Sequence, residues 1–262
     1  MNRGLQPRLV HALWRARRAG RDIVLRRGTR DPKTIREDVG LRYLKGNGIE
    51  IGALDYPLRL PRGARVRYVD HLDAASLRMT YSSTLRAGRP LVAPDVVDDG
   101  ARLASFADGS LDFVVANHML EHVEDPIAAL EHQLRVLRPG GILYLTLPDA
   151  RRSFDSRRQP TTVEHLLRDH RDGPEVSRGE HYEECARLIE GHNGENLALR
   201  VREMEAENLR PHFHVWEPVT FAGFLAALDL PFTLELLQAG VGEFLVVLLK
   251  EANRRGKQPQ TI

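Results

Sequence analysis

Between residues 149 and 214 the chain concentrates imidazoles and the charged groups that could orient them: Asp149, Arg151, Asp155, Arg158, His165, Asp169, His170, His181, His212 and His214. An imidazole, whose unperturbed pKa lies near neutrality, is the usual group for taking a proton from a hydroxyl. His165 and Asp169 stand four apart behind the capping-box pattern Thr161-Thr-Val-Glu164, so they share one helix face. His212 and His214 flank Phe213 and share a face if that segment is extended. His214, just ahead of the Trp216-Glu-Pro218 helix start, is the first choice for a general base. His181 and His165 follow, with Asp149 or Asp155 orienting whichever imidazole acts. Histidines and carboxylates at these spacings also suit a divalent ion, but no HExxH or comparable ligand motif occurs, and no metal is expected.

Such groups act only where rigid elements hold them. Strands are expected at residues 48–52, 65–70, 91–97, 111–116 and 142–147, alternating with helices, which means a parallel sheet covered on both faces. Between the last two, Ile127, Leu130, Leu134 and Leu137 mark one helical face, stopped by Pro139-Gly140-Gly141. A helix begins near Pro218, and the apolar runs 232–238 and 243–249, joined by a short glycine turn, read as an antiparallel pair at the sheet edge. Residues 150–214 interrupt this pattern as an insertion with helices of its own, a second one starting at Ser177-Arg-Gly-Glu180. The expected organisation is a basic arm over 1–38, a domain over 39–251 containing the 150–214 lid, and a disordered tail over 252–262.

The first strand ends in Ile49-Glu-Ile-Gly-Ala-Leu-Asp-Tyr-Pro57, with one glycine, Gly52, where a dinucleotide site uses several to bring backbone against pyrophosphate. A nucleoside cofactor without phosphate needs less. Tyr68-Val-Asp70 ends the second strand with a carboxylate suited to the vicinal hydroxyls of a ribose. His71 follows it, positioned to flank the base. Asp98-Asp99-Gly100 offers an acid for a purine amino group, with Asp99 preferred over Asp98. Asn117 and His118 close the fourth strand and should line the transfer site, whereas Glu121 and His122 read as groups that cap and orient the next helix.

Together with Leu111-Asp-Phe-Val-Val-Ala-Asn-His-Met-Leu-Glu-His-Val-Glu-Asp-Pro126 and Leu134-Arg-Val-Leu-Arg-Pro-Gly-Gly-Ile-Leu-Tyr-Leu-Thr-Leu-Pro-Asp149, this wording resembles class I S-adenosylmethionine-dependent methyltransferases. Pro148-Asp-Ala-Arg-Arg-Ser-Phe-Asp155, His181-Tyr182 and His212-Phe-His-Val-Trp-Glu-Pro218 resemble one branch, bacterial enzymes that accompany glycosyltransferases in surface-polysaccharide biosynthesis. The resemblance implies an α/β, Rossmann-like doubly wound seven-stranded sheet, mostly parallel, with an antiparallel edge pair and a helical lid. It implies S-adenosylmethionine as cofactor, held around Glu50, Gly52, Asp70, His71, Asp99, Asn117 and His118, and methyl transfer to a hydroxyl of a sugar or glycan. Another small-molecule acceptor, a binding protein without turnover and a nicotinamide-dependent oxidoreductase are the alternatives; the missing phosphate-binding glycines weigh against the last.

A net charge of +2 over 262 residues carries no overall sign of a nucleic-acid partner, and none is expected. The charge is local: ten arginines lie within the first 36 residues, around a stripe of Leu5, Leu9, Ala12, Leu13 and Ala16. That arm reads either as a solvated helix or as a contact with an anionic membrane surface or a glycosyltransferase. Arg15, Arg17 and Arg18 interrupt the apolar core a secretory signal needs, and no apolar run approaches the ~20 residues of a membrane span. The single Cys185 leaves no intramolecular disulfide or cysteine-based zinc site. A cytoplasmic protein is expected, peripheral to the inner membrane face if the arm binds there.

Overall fold

The apolar runs become the middle of one sheet. The computed structural model describes residues 22–24 and 31–252, and the basic stripe of residues 5–16 and the tail from 253 onward lie outside them. Strands β1 (Asp22–Val24), β2 (Asn47–Ile51), β3 (Arg65–Asp70), β4 (Val96–Val97), β5 (Leu111–Asn117), β6 (Leu137–Pro148), β7 (Phe232–Ala239) and β8 (Glu243–Lys250) are ordered β1-β7-β8-β6-β5-β2-β3-β4. β8 runs antiparallel to both neighbours, and the other pairings are parallel. The expected seven-stranded arrangement is present, and β1 adds an eighth short strand outside β7. The third expected strand shrinks to the two residues of β4.

Helices α1 (Pro32–Tyr43), α2 (Ala74–Thr80), α3 (Pro126–Val136), α4 (Val163–Asp172), α5 (Arg178–Leu188), α6 (Gly194–Ala206) and α7 (Pro218–Ala227) join them, with short 3-10 turns at Leu120–His122, Ala150–Arg152, Phe154–Arg157 and Pro174–Val176. On one face of the sheet, Val114, Ala116, Leu143 and Leu145 pack with Ile127, Leu130 and Leu134 of α3 and with Phe221 and Phe224 of α7. On the other, Phe113, Val115, Tyr144 and Val247 receive Ile35 and Val39 of α1. Each such side chain contributes about 1.5–3 kcal/mol by leaving water, so the two layers fix the strand ends between them. The central strands are therefore apolar on both faces and read as continuous runs. At Gly48 a Cβ would lie 2.3 Å from the Phe113 ring, so the close approach of β2 to β5 requires glycine there. α1 runs unbroken across the expected arm boundary after residue 38 and buries its apolar face in this core.

The 150–214 insertion forms the expected helices, with different caps. Thr162, not Thr161, caps α4 by accepting from His165 N at 3.2 Å, because the Thr161 hydroxyl is engaged by Val215 N at 3.1 Å. Ser177 precedes α5, but its hydroxyl donates to Asp169 Oδ2 at 2.8 Å instead of capping its own helix. Tyr182, Cys185, Ala186, Met204 and Phe213 give the insertion a small core. Arg158, buried, ties it together by donating to the His212 and Phe213 carbonyls and pairing with Asp155 and Glu184. Among the described residues no helix is long and apolar enough to cross a membrane.

Candidate functional site

The carboxyl ends of β2, β3 and β5 lie side by side, so their terminal residues share one edge. Gly52 leaves β2 with φ +66°, and a Cβ there would meet nothing within 4 Å, so the strand opens onto free space. Leu54 follows with φ +46°, the left-handed backbone that favours glycine; Val92 N donates to its carbonyl at 2.7 Å and helps hold the turn. Asp70 sits 6% exposed at the end of β3, its Oδ1 accepting from His71 N and lying 2.8 Å from His71 Nδ1. The Asp98 carboxylate is occupied by the amides of Asp99 and Ser105, whereas Asp99 engages only Ala101 N through Oδ1 and borders an open groove.

Glu50 enters this edge indirectly. It is 1% exposed, and both carboxylate oxygens lie 3.0 Å from Leu58 N, so it folds the loop beyond Gly52 and does not face the opening. Burial pushes its carboxyl up to about 7 against the opposing pull of that amide. Asn117 is half-buried, donating to Glu50 and accepting from Thr146 Oγ1 at 3.0 Å.

His118, with φ +49°, is gripped from both sides. Its Nδ1 lies 3.2 Å from Glu121 Oε1 and its Nε2 lies 2.9 Å from Glu243 Oε2, while Arg36 of α1 makes a two-pronged pair with Glu243. Burial favours the neutral ring, but the two carboxylates outweigh it and raise His118 to about 9. Burial likewise pushes Glu243 up, and Arg36 and His118 overcome this to hold it at about 2. The imidazolium therefore joins β5, β8 and α1. Its stabilising share is complete below the unfolded value of 6.5 and is lost as pH rises through about 9. Glu243 contributes above 4.5, and that share is lost as pH falls through about 2. In urea unfolding, the stability gap between the wild type and His118→Gln is expected to be widest near pH 6 and to close toward pH 9. A gap unchanged across that window would remove the charged imidazole from the network.

Glu121 carries the site from this edge into the insertion. Its Oε2 is buried without a hydrogen-bond partner, and it falls with His122 and His212 in a group whose ligand atoms lie within 4.8 Å of one another. His212 Nδ1 sits 2.7 Å from Asp155 Oδ2, and His122 Nδ1 sits 2.9 Å from the Arg210 carbonyl. Each Nδ1–H is thereby committed, leaving both Nε2 atoms as the free acceptors. The rings meet edge to face at 4.6 Å, and His122 lines a groove of about 780 Å³ that also includes Asp99, Asp125, Arg178 and Arg210.

The first-choice base is elsewhere. His214 is 0% exposed, its Nε2 donates to the Glu124 carbonyl at 2.9 Å, and burial followed by the nearby His181 lowers it to about 3. A base must reach its substrate, so full enclosure removes His214 from that role. His181 is 7% exposed, lowered to about 4 by burial and by His165, and turns toward His165 and His214. His165 and Asp169 do share a helix face, at 2.9 Å, but within that same cluster. Asp149 is 1% exposed and held by Arg151 at 2.7 and 2.9 Å, a capping pair remote from these imidazoles in its contacts. His212 and His214, two apart, join different groups. Sequence reasoning passed over Arg36 and Glu243, read His122 as orienting the next helix, and named His212 without ranking it as a base; the Glu121-His122 step directly after a polar strand end was the one local signal.

Residues 46–145 match the family model described as a methyltransferase domain. A demethylmenaquinone methyltransferase from Mycobacterium sp. (strain KMS) is 48% identical over 61 residues, 23% of this chain and 26% of that protein. A thiol S-methyltransferase from Homo sapiens is 36% identical over 88 residues, 32% of this chain and 34% of its own. The chain thus spans about a quarter to a third of the length of these curated relatives. A solved S-adenosylmethionine-dependent methyltransferase from Methanosarcina mazei aligns with 81% of this chain and 96% of its own, at 16% identity and a TM-score of 0.43.

Proposed function

We propose that the chain is an S-adenosylmethionine-dependent methyltransferase acting on a hydroxyl of a sugar or glycan. The observation that carries the reading is the open strand end at Gly52 beside the carboxylate of Asp70, within the segment matched by the methyltransferase domain. These residues fit the cofactor: Asp70 would accept from the ribose hydroxyls, Asp99 would offer an acceptor to the adenine amino group, and the room over Gly52 would admit the methionine portion. When bound, the cofactor supplies an electrophilic methyl group on a sulfonium whose departure leaves a neutral thioether. His212 takes the acceptor's hydroxyl proton at Nε2 as the carbon–oxygen bond forms, and Asp155 stabilises the resulting imidazolium.

Two features favour a saccharide. The groove beside His122 sets Asp99, Asp125, Arg178, Asn208 and Arg210 among small apolar side chains and Phe213, and these polar groups offer hydrogen-bond partners to a polyhydroxyl acceptor. Arg86 and Arg89 stand 4.4 and 4.9 Å from the Tyr56 ring beyond the Gly52 turn, giving a cationic rim for the phosphates that activated sugars carry. Incubating the protein with S-adenosylmethionine and either lipid-linked saccharides or quinone precursors tests this. A one-methyl mass gain on the saccharide fraction is expected, and a gain confined to the quinones would overturn the acceptor assignment.

A further inference from the structure

His165 and Asp169 of α4, His181 of α5 and His214 of the following segment meet away from the groove just described. The Nε2 atoms of His165 and His181 are 3.1 Å apart, and Asp169 Oδ2 lies 2.9 Å from the first and 3.8 Å from the second. His165, His181 and His214 each offer a ligand nitrogen within 4.8 Å of the others. Two imidazoles on one tetrahedral zinc, with Zn–N of roughly 2.0–2.1 Å, hold their nitrogens about 3.3 Å apart, so little movement is needed. Because His214 Nε2 donates to the Glu124 carbonyl, its Nδ1 carries the lone pair, and that atom is buried with no hydrogen-bond partner. Asp169 Oδ1 is also buried without a hydrogen bond, with Arg168 Nε 3.5 Å away. Leaving such groups unsatisfied in the interior is costly, and a shared cation offsets that cost.

We propose that His165, His181, His214 and Asp169 form a four-coordinate site for a divalent transition metal, with zinc the best match to three imidazoles and one carboxylate. The supporting shell is in place: the Glu124 carbonyl fixes the His214 tautomer and Ser177 Oγ donates to Asp169 Oδ2 at 2.8 Å. Arg168 Nη2 lies 3.0 Å from His165 Nδ1 and must swing aside as that nitrogen takes the proton; the half-exposed guanidinium has Glu180 within 3.9 Å as a partner. A hollow of about 300 Å³ lined by Thr161, His165, Glu180 and His181 gives the ion a path. Four protein donors complete the tetrahedron, so the metal is structural, joining α4 and α5 to the segment that holds His212.

The full chain, produced in zinc-supplemented medium and analysed by mass spectrometry of its elements, is expected to carry about one zinc per chain. Its cobalt(II) form should show the intense visible absorption of a tetrahedral centre. A chelator should lower the Tm, and added zinc should restore it. His165→Ala is expected to lose most of the metal. Ser177→Ala, which leaves the ligands intact, should weaken zinc affinity about 10- to 100-fold. His122→Ala should retain the metal in full. Substoichiometric metal together with a Tm indifferent to added zinc would overturn the site. So would metal that survives His165→Ala and leaves with His122→Ala, which would place it on Glu121, His122 and His212.

Discussion

Asp70→Ala is expected to bind S-adenosylmethionine about 10²- to 10⁴-fold more weakly than the wild type in titration calorimetry, with an unchanged unfolding midpoint. The magnitude follows from the two ribose hydroxyls that one ionised carboxylate can accept from. Hydrogen bonds to a charged group are worth about 1.5–3 kcal/mol each, and about 1.4 kcal/mol is a factor of ten in affinity. Position adds to the effect. Asp70 is largely buried at the end of β3, with the His71 amide and ring fixing its Oδ1, so little reorganisation is needed on binding. Asp70→Asn keeps the shape and removes the charge, and an intermediate loss is expected. NAD should not bind measurably to either protein, because Gly52 and the φ-positive Leu54 do not provide the successive glycines that bring backbone against a pyrophosphate. Wild-type affinity in a folded Asp70→Ala protein would sink the ribose assignment.

The sheet was legible where burial on both faces forces a continuous apolar run, as in Leu111–Asn117, and where a polar residue marks the strand's carboxyl end, as at Asp70. β1 was not, because three residues in an arginine-rich stretch carry no periodicity. The placement of Gly52 and Asp70 on one sheet edge was legible for the same reason as the strands: glycine and acid at strand ends have positions dictated by the sheet. The partners of the histidines were not. His118 depends on Glu243, which in turn depends on Arg36, 207 residues away in sequence, and no local pattern encodes such a link. For His212 and His214 the expectation of a shared role came from two-residue spacing. The segment 211–215 forms no regular strand, and Asp155 draws one ring while the Glu124 carbonyl draws the other. His214 is wholly enclosed whereas the His212 side chain keeps a tenth of its surface exposed, and that difference is a property of the insertion's packing.

His212→Ala is expected to keep cofactor affinity and lose roughly 10²- to 10⁴-fold in single-turnover methyl transfer, the usual contribution of a positioned base. The assignment rests on geometry. Asp155, 1% exposed, holds His212 Nδ1 at 2.7 Å and is itself steadied by the buried Arg158, so the free Nε2 has a fixed direction. Asp155→Asn should therefore lower the rate while leaving affinity for the cofactor unchanged, since the amide can reverse its hydrogen bond and favour the wrong tautomer. His122 is locked to backbone carbonyls, borders the groove and stacks edge-on against His212, so under the proposed function it would position the acceptor. Its replacement by alanine should raise the acceptor's KM more than it lowers the turnover rate. Single-turnover measurements with saturating cofactor separate these outcomes. A His212→Ala protein that transfers methyl at the wild-type rate would remove the dyad from the chemistry, and a larger loss of rate in His122→Ala would exchange the two roles.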